Sequence, residues 1–211
     1  MLWTGLEVIG TVAFAAAGAL VGVKKRLDIF GVAMLAVTTA VGGGIMRDTL
    51  IGNIPPLAFR NPMFIFISLV VAGLVSIFVK QVVRKQRLLN LCDALGLGAF
   101  AATGASLALS HDSLLLVVTV GVVTGIGGGV LRDIFVREIP LVFRAEIYAV
   151  AAAIGAACFY GLQKLLPVDM ALYLACLITV AIRLLSLYYG INLPRVRADK
   201  PTDKKDRGQS E

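Results

Sequence analysis

Apolar residues run through this chain in seven long blocks, at approximately 5–23, 29–52, 62–80, 88–109, 113–136, 145–165 and 169–190. An α-helix rises about 1.5 Å per residue, so about 20 apolar residues cross a hydrocarbon core of about 30 Å. Each block meets that requirement. The stretches between them are short and polar or contain proline: KKRLD, NIPPLAFRN, KQVVRKQR, SHD, REIPLVFR and KLLPVD. The pattern predicts an all-α polytopic membrane protein with seven transmembrane helices. Beyond about residue 193 the chain is polar and without periodicity, which predicts a disordered tail.

Composition points to a lipid solvent. Hydrophobic residues make up 58% of the 211 and charged residues 16%, with a mean hydropathy of +0.88; soluble domains average about 45–50% and about 25%. The net charge of +7 lies in clusters between the blocks. It reads as one face of a membrane protein, and no aromatic-interleaved basic patch or other nucleic-acid motif accompanies it. Fifteen of the twenty Lys and Arg fall on one side of the seven-span plan: Lys24, Lys25, Arg26, Lys80, Arg84, Lys85, Arg87, Arg137, Arg144 and the six of the tail. Arg60 and Lys164 fall on the other side; Arg47, Arg132 and Arg183 lie within spans. The positive-inside rule then predicts an external N-terminus and a cytoplasmic C-terminus, with the basic face against anionic lipid. The first apolar block lacks the basic start of a signal peptide, so it is expected to stay as a span. Trp3 at the outer boundary, and Tyr148, Tyr188 and Tyr189 at the inner one, are expected as interfacial anchors.

Little in the sequence suggests bond-making chemistry. Cys92, Cys158 and Cys176 stand singly in apolar blocks and read as small buried hydrophobes; His111 is alone in a polar turn. No P-loop, H-E-x-x-H stretch or Ser/His/Asp set occurs. Neither an enzyme nor an ATP-driven pump is expected, and no cofactor or resident metal.

The chain repeats itself. Residues 42–55 (GGGIMRDTLIGNIP) align without gaps on 127–140 (GGGVLRDIFVREIP), with seven of fourteen positions identical where chance gives about one. Thr39 matches Thr124 at the same offset. AFAAAGA at 13–19 matches AFAATGA at 99–105, and Glu7 falls on Asp93 and Gly10 on Gly96. Each copy holds three spans, so the second must run opposite to the first, an architecture common among transport proteins. The predicted division is 1–87 for the first inverted repeat, 88–165 for the second, 166–190 for a seventh helix and 191–211 for a cytoplasmic tail.

Gly42, Gly43 and Gly44, with Gly127, Gly128 and Gly129, interrupt otherwise good spans. Three glycines cost about 1 kcal/mol each relative to alanine. They permit unwinding, exposed carbonyls or close helix approach. Helical rise puts each triplet about 21–22 Å along its span, near one level of the bilayer. The expectation is that helices 2 and 5 break there and flank a transport path. Gly18 and Gly22 in the first span are expected only to pack. Arg47-Asp48 and Arg132-Asp133 are costly inside a membrane, about 2.5–3.5 kcal/mol each, and should face an interior or water. Neighbours on a helix point about 100° apart, so Arg and Asp of one copy are not expected to face each other directly. Arg47 lies about 6 Å to one side of its glycines and Arg132 about 6 Å to the other side of its own, which predicts two polar vestibules around a constriction. Thr39 and Thr124 either line the path or bond back to their own helix. Glu7 and Asp93 are expected at helix starts, where the dipole favours an acid. Arg183 is expected to snorkel, with no function.

Two GGGxxRD copies, each followed by Ile-Pro, in a chain of three plus three plus one spans, resemble the prokaryotic trimeric intracellular cation (TRIC) channels over residues 1 to about 190. The resemblance implies a homotrimer with a separate potassium-permeable, hourglass-shaped pore in each protomer, lined by kinked helices 2 and 5. The matching pore positions are Gly42, Gly43, Gly44, Arg47 and Asp48, with Gly127, Gly128, Gly129, Arg132 and Asp133; K⁺, and Na⁺ with it, are the implied partners. The same family also carries the label of glycine transporter. A passive monovalent-cation channel in the inner membrane is the leading expectation, with a secondary transporter of a small solute such as glycine as the alternative. An arginine in a cation path must be paired or used as a gate. Were it to move, the membrane field would act on it at about 2.3 kcal/mol per charge per 100 mV.

Overall fold

The computed structural model describes residues 2–78, 86–144 and 147–191. The expected tail, the cationic loop with Lys80, Arg84 and Lys85, and the side chains of Trp3 and His111 lie outside the described residues. Within these bounds the chain forms nine α-helices and one 3-10 turn. They are α1 (Leu2–Lys24), α2 (Ile29–Leu50), α3 (Leu57–Arg60), α4 (Met63–Ile77), α5 (Gln86–Leu107), the turn Leu109–His111, α6 (Leu114–Phe135), α7 (Leu141–Arg144), α8 (Ile147–Leu162) and α9 (Val168–Tyr189). Five of them, α1 from Gly5 and then α2, α5, α6 and α9, are long and apolar enough to cross a membrane. The apolar blocks at 62–80 and 145–165 hold the shorter helices α4 and α8.

Local chemistry sets several boundaries. Asp28 starts α2 by accepting from Gly31 N at 2.7 Å, and Ser113 starts α6 by accepting from Leu116 N at 3.4 Å. Gly190, at φ 62°, ends α9 in the left-handed conformation open to glycine.

The helices pack as two matching trios. In the first, α1, α2 and α4 contact one another; in the second, α5, α6 and α8 do. The trios join where α1 meets α5 and α2 meets α6, and α9 lies outside against α5 and α8. The core is built largely from alanine and glycine, which lets backbones approach closely where lipid gives little hydrophobic reward for burying large side chains. Large apolar residues such as Ile29, Phe66, Leu115 and Leu177 point outward instead. Tyr188 and Tyr189 are exposed, but Tyr148 is 1% exposed and belongs to the core. The three cysteines are free and half-buried rather than fully buried.

The glycine triplets do not break their helices. Both α2 and α6 continue as α-helix through them. Their function here is contact: a Cβ on Gly43 would stand well under 3.0 Å from the Thr124 carbonyl oxygen, and one on Gly128 equally close to the Thr39 carbonyl oxygen. Later residues of α2 thus meet earlier residues of α6 and the reverse, so the two helices cross antiparallel with their glycines at the crossing. Backbone-to-backbone packing gives up no hydrogen bonds, whereas unwinding would expose several, and that decides the outcome. Gly18 packs as expected, against Leu35 and Ala36 of α2, and its repeat partner Gly104 does the same against α6. The Thr39 and Thr124 hydroxyls bond back to their own helices, at Leu35 O and Val120 O.

Candidate functional site

Each repeat folds its Arg-Asp pair into one buried unit. Arg47 Nε donates to Asp48 Oδ1 at 2.9 Å, and Arg132 Nε donates to Asp133 Oδ1 at 2.9 Å. The expectation that neighbours could not meet fails because the arginine side chain is long enough to curl back around its own helix. The second aspartate oxygen does different work: Leu57 N donates to Asp48 Oδ2 at 2.7 Å, and Leu141 N to Asp133 Oδ2 at 2.8 Å. The carboxylate thereby ties the first residue of the short helix α3, or α7, back to α2, or α6. In both copies the Ile-Pro after GGGxxRD leads to this leucine, nine residues beyond Asp48 and eight beyond Asp133.

A second acid reaches each arginine from the first helix of its trio. Arg47 Nη1 lies 3.7 Å from Glu7 Oε1, and Arg132 Nη1 lies 2.8 Å from Asp93 Oδ1. Arg47 and Arg132 are only 3% and 4% exposed, so an unpaired charge there would be prohibitive. Glu7 and Asp93 are therefore arginine partners and not dipole caps; α1 begins at Leu2 and α5 at Gln86, leaving both acids well inside. The signal available in the sequence was their common offset of 86 residues.

The two units open on separate pockets. The first, about 30 Å³, is lined by Glu7, Thr11, Gly44, Arg47, Asp48 and Phe100 among others. The second, about 240 Å³, is lined by Asp93, Arg132, Asp133, Lys24, Lys25 and Glu138 among others. Because α2 and α6 are antiparallel, Arg47 and Arg132 lie on opposite sides of the glycine crossing. Also between the trios sit Phe14 and Phe100, one on α1 and one on α5, with ring centroids 5.4 Å apart. They occupy matching repeat positions. Phe14 presses on Gly96 and reaches Gly128, while Phe100 walls the first pocket. At the mouth of the second pocket Lys25 Nζ meets Glu138 Oε1 at 2.5 Å, and this bond holds the Glu138 carboxyl below its usual range.

The second unit also has neighbours that the first lacks among the described residues. Arg183, expected to snorkel from α9, is 4% exposed and lies over the Tyr148 ring at 5.0 Å to the centroid. Tyr148 in turn faces Asp93 and Arg132 beside Gly129. The bundle closes around this end of α9 before its side chain can reach water. The matching residue of the first trio is Phe64, which has no hydroxyl and, among the described residues, no arginine behind it. Of the residues expected to carry function, Gly42 meets Leu131, Gly127 meets Met46 and Gly43, and Gly44 and Gly129 face their own arginines. Among the described residues no group of His, Cys, Asp and Glu is assembled to hold a metal ion.

Comparison with known proteins agrees with this geometry. A family model described as glycine transporter matches residues 4–80 and 90–164, one match to each repeat. The UPF0126 inner membrane protein YadS of Escherichia coli (strain K12) is 36% identical over 206 residues, covering 95% of this chain and 99% of its own. A TRIC cation channel solved to explain conductance superposes with a TM-score of 0.87 at 38% identity, over 95% of this chain and 100% of its own. The TRIC channel orthologue from Rhodobacter sphaeroides does so with a TM-score of 0.85 at 34% identity, over 90% and 98%. These relatives are membrane proteins and channels, not enzymes. Two matched GGGxxRD units, joined back to back by antiparallel helices, fit them over nearly the whole chain, and this protein belongs to the glycine transporter family that includes the prokaryotic TRIC channels.

Proposed function

We propose that this protein is a passive channel for monovalent cations, permeable to potassium, with an ion path inside each protomer. The carrying observation is the pair of buried arginine–carboxylate units on opposite sides of one glycine crossing, each with its own pocket. Cations enter one polar pocket, pass the level where α2 and α6 cross, and leave by the other. Each arginine is held by two acids, so it shapes the path without repelling its cargo outright. At the crossing, Gly43 and Gly128 abut opposing carbonyls, which makes the described arrangement a closed one. Conduction then requires the two helices to part or locally unwind there, which glycine permits at low steric cost.

The trimer and the inner membrane are taken from the relatives, the orientation and the spans from the charge and hydrophobic patterns. The chain forms a homotrimer in the inner membrane, the N-terminus outside and the C-terminus cytoplasmic. Its organisation is seven spans: two inverted repeats, at 1–87 and 88–165, and an extra helix at 166–190. The basic face, with Lys24, Lys25 and Arg144, rests against anionic headgroups.

Purified protein in a planar bilayer with a potassium chloride gradient tests this. Discrete unitary currents that reverse near the potassium potential are expected, with sodium carried less well or equally. A second reading, alternating access for a small solute such as glycine, is favoured by the inequality of the pockets, one small and one roomy. Saturable glycine uptake into vesicles without unitary current would establish that reading and overturn the channel.

A further inference from the structure

The two ends of the path are built from the same motif but carry different charge. At the first, one arginine faces two acids, Glu7 and Asp48, for a formal charge of −1. The repeat alone would give the second end the same value, from Arg132 with Asp93 and Asp133. There α9, which belongs to neither repeat, adds Arg183 and cancels it. Arg183 interacts electrostatically with Asp93 and Tyr148 while remaining 4% exposed. Its Nε has no hydrogen-bond partner among the described residues. A guanidinium buried this way, with a ring beneath it and no acid hydrogen-bonded to its Nε, is an expensive device for structure alone. Its Coulomb field, however, reaches Asp93 regardless of hydrogen-bond geometry.

We propose that Arg183 is a positioning residue for charge: it neutralises the second end of the ion path and so makes the protein rectify, with cations held more readily at the first end than at the second. The proposal rests on the channel reading above. The lining of the second pocket points the same way, because Lys24, Lys25 and Arg144 outweigh Glu138 around its mouth. Tyr148 holds the guanidinium over its ring, within the field of Asp93 and outside the lining of the second pocket. The first trio has Phe64 at that position and, among the described residues, no such arginine, so its site keeps its negative charge.

The test is the single-channel current–voltage curve in symmetric potassium chloride, with the reversal potential in a gradient as a second readout. Arg183→Met keeps much of the side chain's bulk and removes the charge. It is expected to raise cation current and bring the currents at opposite voltages closer to equal, by about twofold, the Boltzmann factor for one unit charge about 10 Å away through water. Arg183→Lys should move the ratio back toward the wild type. Glu7→Gln neutralises the other end; it should also reduce rectification, but by lowering cation current. A trimeric Arg183→Met protein with the wild-type curve overturns the proposal. Should that variant not assemble, Glu7→Gln decides alone: undiminished rectification overturns the proposal as well. Absence of unitary current in the wild-type protein would instead reject the channel reading itself.

Discussion

At the scale of single residues, two kinds of position dominate: glycines where backbones touch, and arginines that would be untenable without partners. Gly43 and Gly128 each face an opposing carbonyl oxygen at a distance that leaves no room for a methyl group. Gly43→Ala or Gly128→Ala forces α2 and α6 apart and is expected to cost about 1–3 kcal/mol, the usual range for overpacking. Gly73 and Gly161 have nothing within 4 Å of a built Cβ, so their alanine variants should be neutral or gain up to about 1 kcal/mol of helix propensity. Thermal unfolding of the detergent-solubilised protein distinguishes the pairs, and equal effects would remove the special status of the crossing. The glycines were legible in the sequence, as was their shared depth. Their mode of use was not, because composition gives the same signal for a helix that unwinds and for one that is closely approached.

Helices carry the next level. Phe14 on α1 and Phe100 on α5 meet at a tilt of 39° across the join between the trios, next to the glycine crossing. Phe14→Leu shortens that contact and is expected to raise the fraction of time the channel conducts; planar-bilayer recordings with unchanged open probability would remove the pair from the gate. A different contact links the end of α1 to the segment after α6, where Lys25 meets Glu138. The bond lowers the Glu138 pKa, so whatever stability it adds is present above the ordinary glutamate range and lost as pH falls through the lowered value. Both side chains are about two-fifths exposed, which limits the contribution to about 0–1 kcal/mol. Stability compared for Glu138→Gln and wild type should therefore coincide within error at low pH and differ only slightly at neutral pH, with high salt closing the gap. The common offset of 86 residues placed Glu7 and Asp93 on matching helices. That they serve as arginine partners emerged only with the packing of α1 against α2 and of α5 against α6.

For the whole molecule, the arrangement is a duplicated trio closed by an added helix. Truncation after residue 193 removes six basic residues and leaves all nine described helices. It is expected to leave unitary conductance and the number of subunits per assembly unchanged, as recorded in bilayers and by light scattering; lost assembly would assign the tail a structural role. The outward apolar residues on α2, α4, α6 and α9 suit a lipid surround. The added helix α9 is where the molecule departs from its own symmetry: Arg183 reaches the Tyr148 ring beside the second unit, and among the described residues nothing comparable reaches the first.

Hydrophobic run length, charge segregation and the 85–86-residue repeat determined the membrane setting, the helices and the positions of both GGGxxRD units, because those signals are local or internal to the chain. Side-chain partnerships were a different matter. An arginine can curl back to its neighbour, a threonine can satisfy its own helix, and a tyrosine expected at an interface can be buried, all with one and the same sequence pattern. Only the tertiary structure chose among them, since the deciding quantity is the desolvation of polar groups by neighbouring helices, which no stretch of one helix encodes.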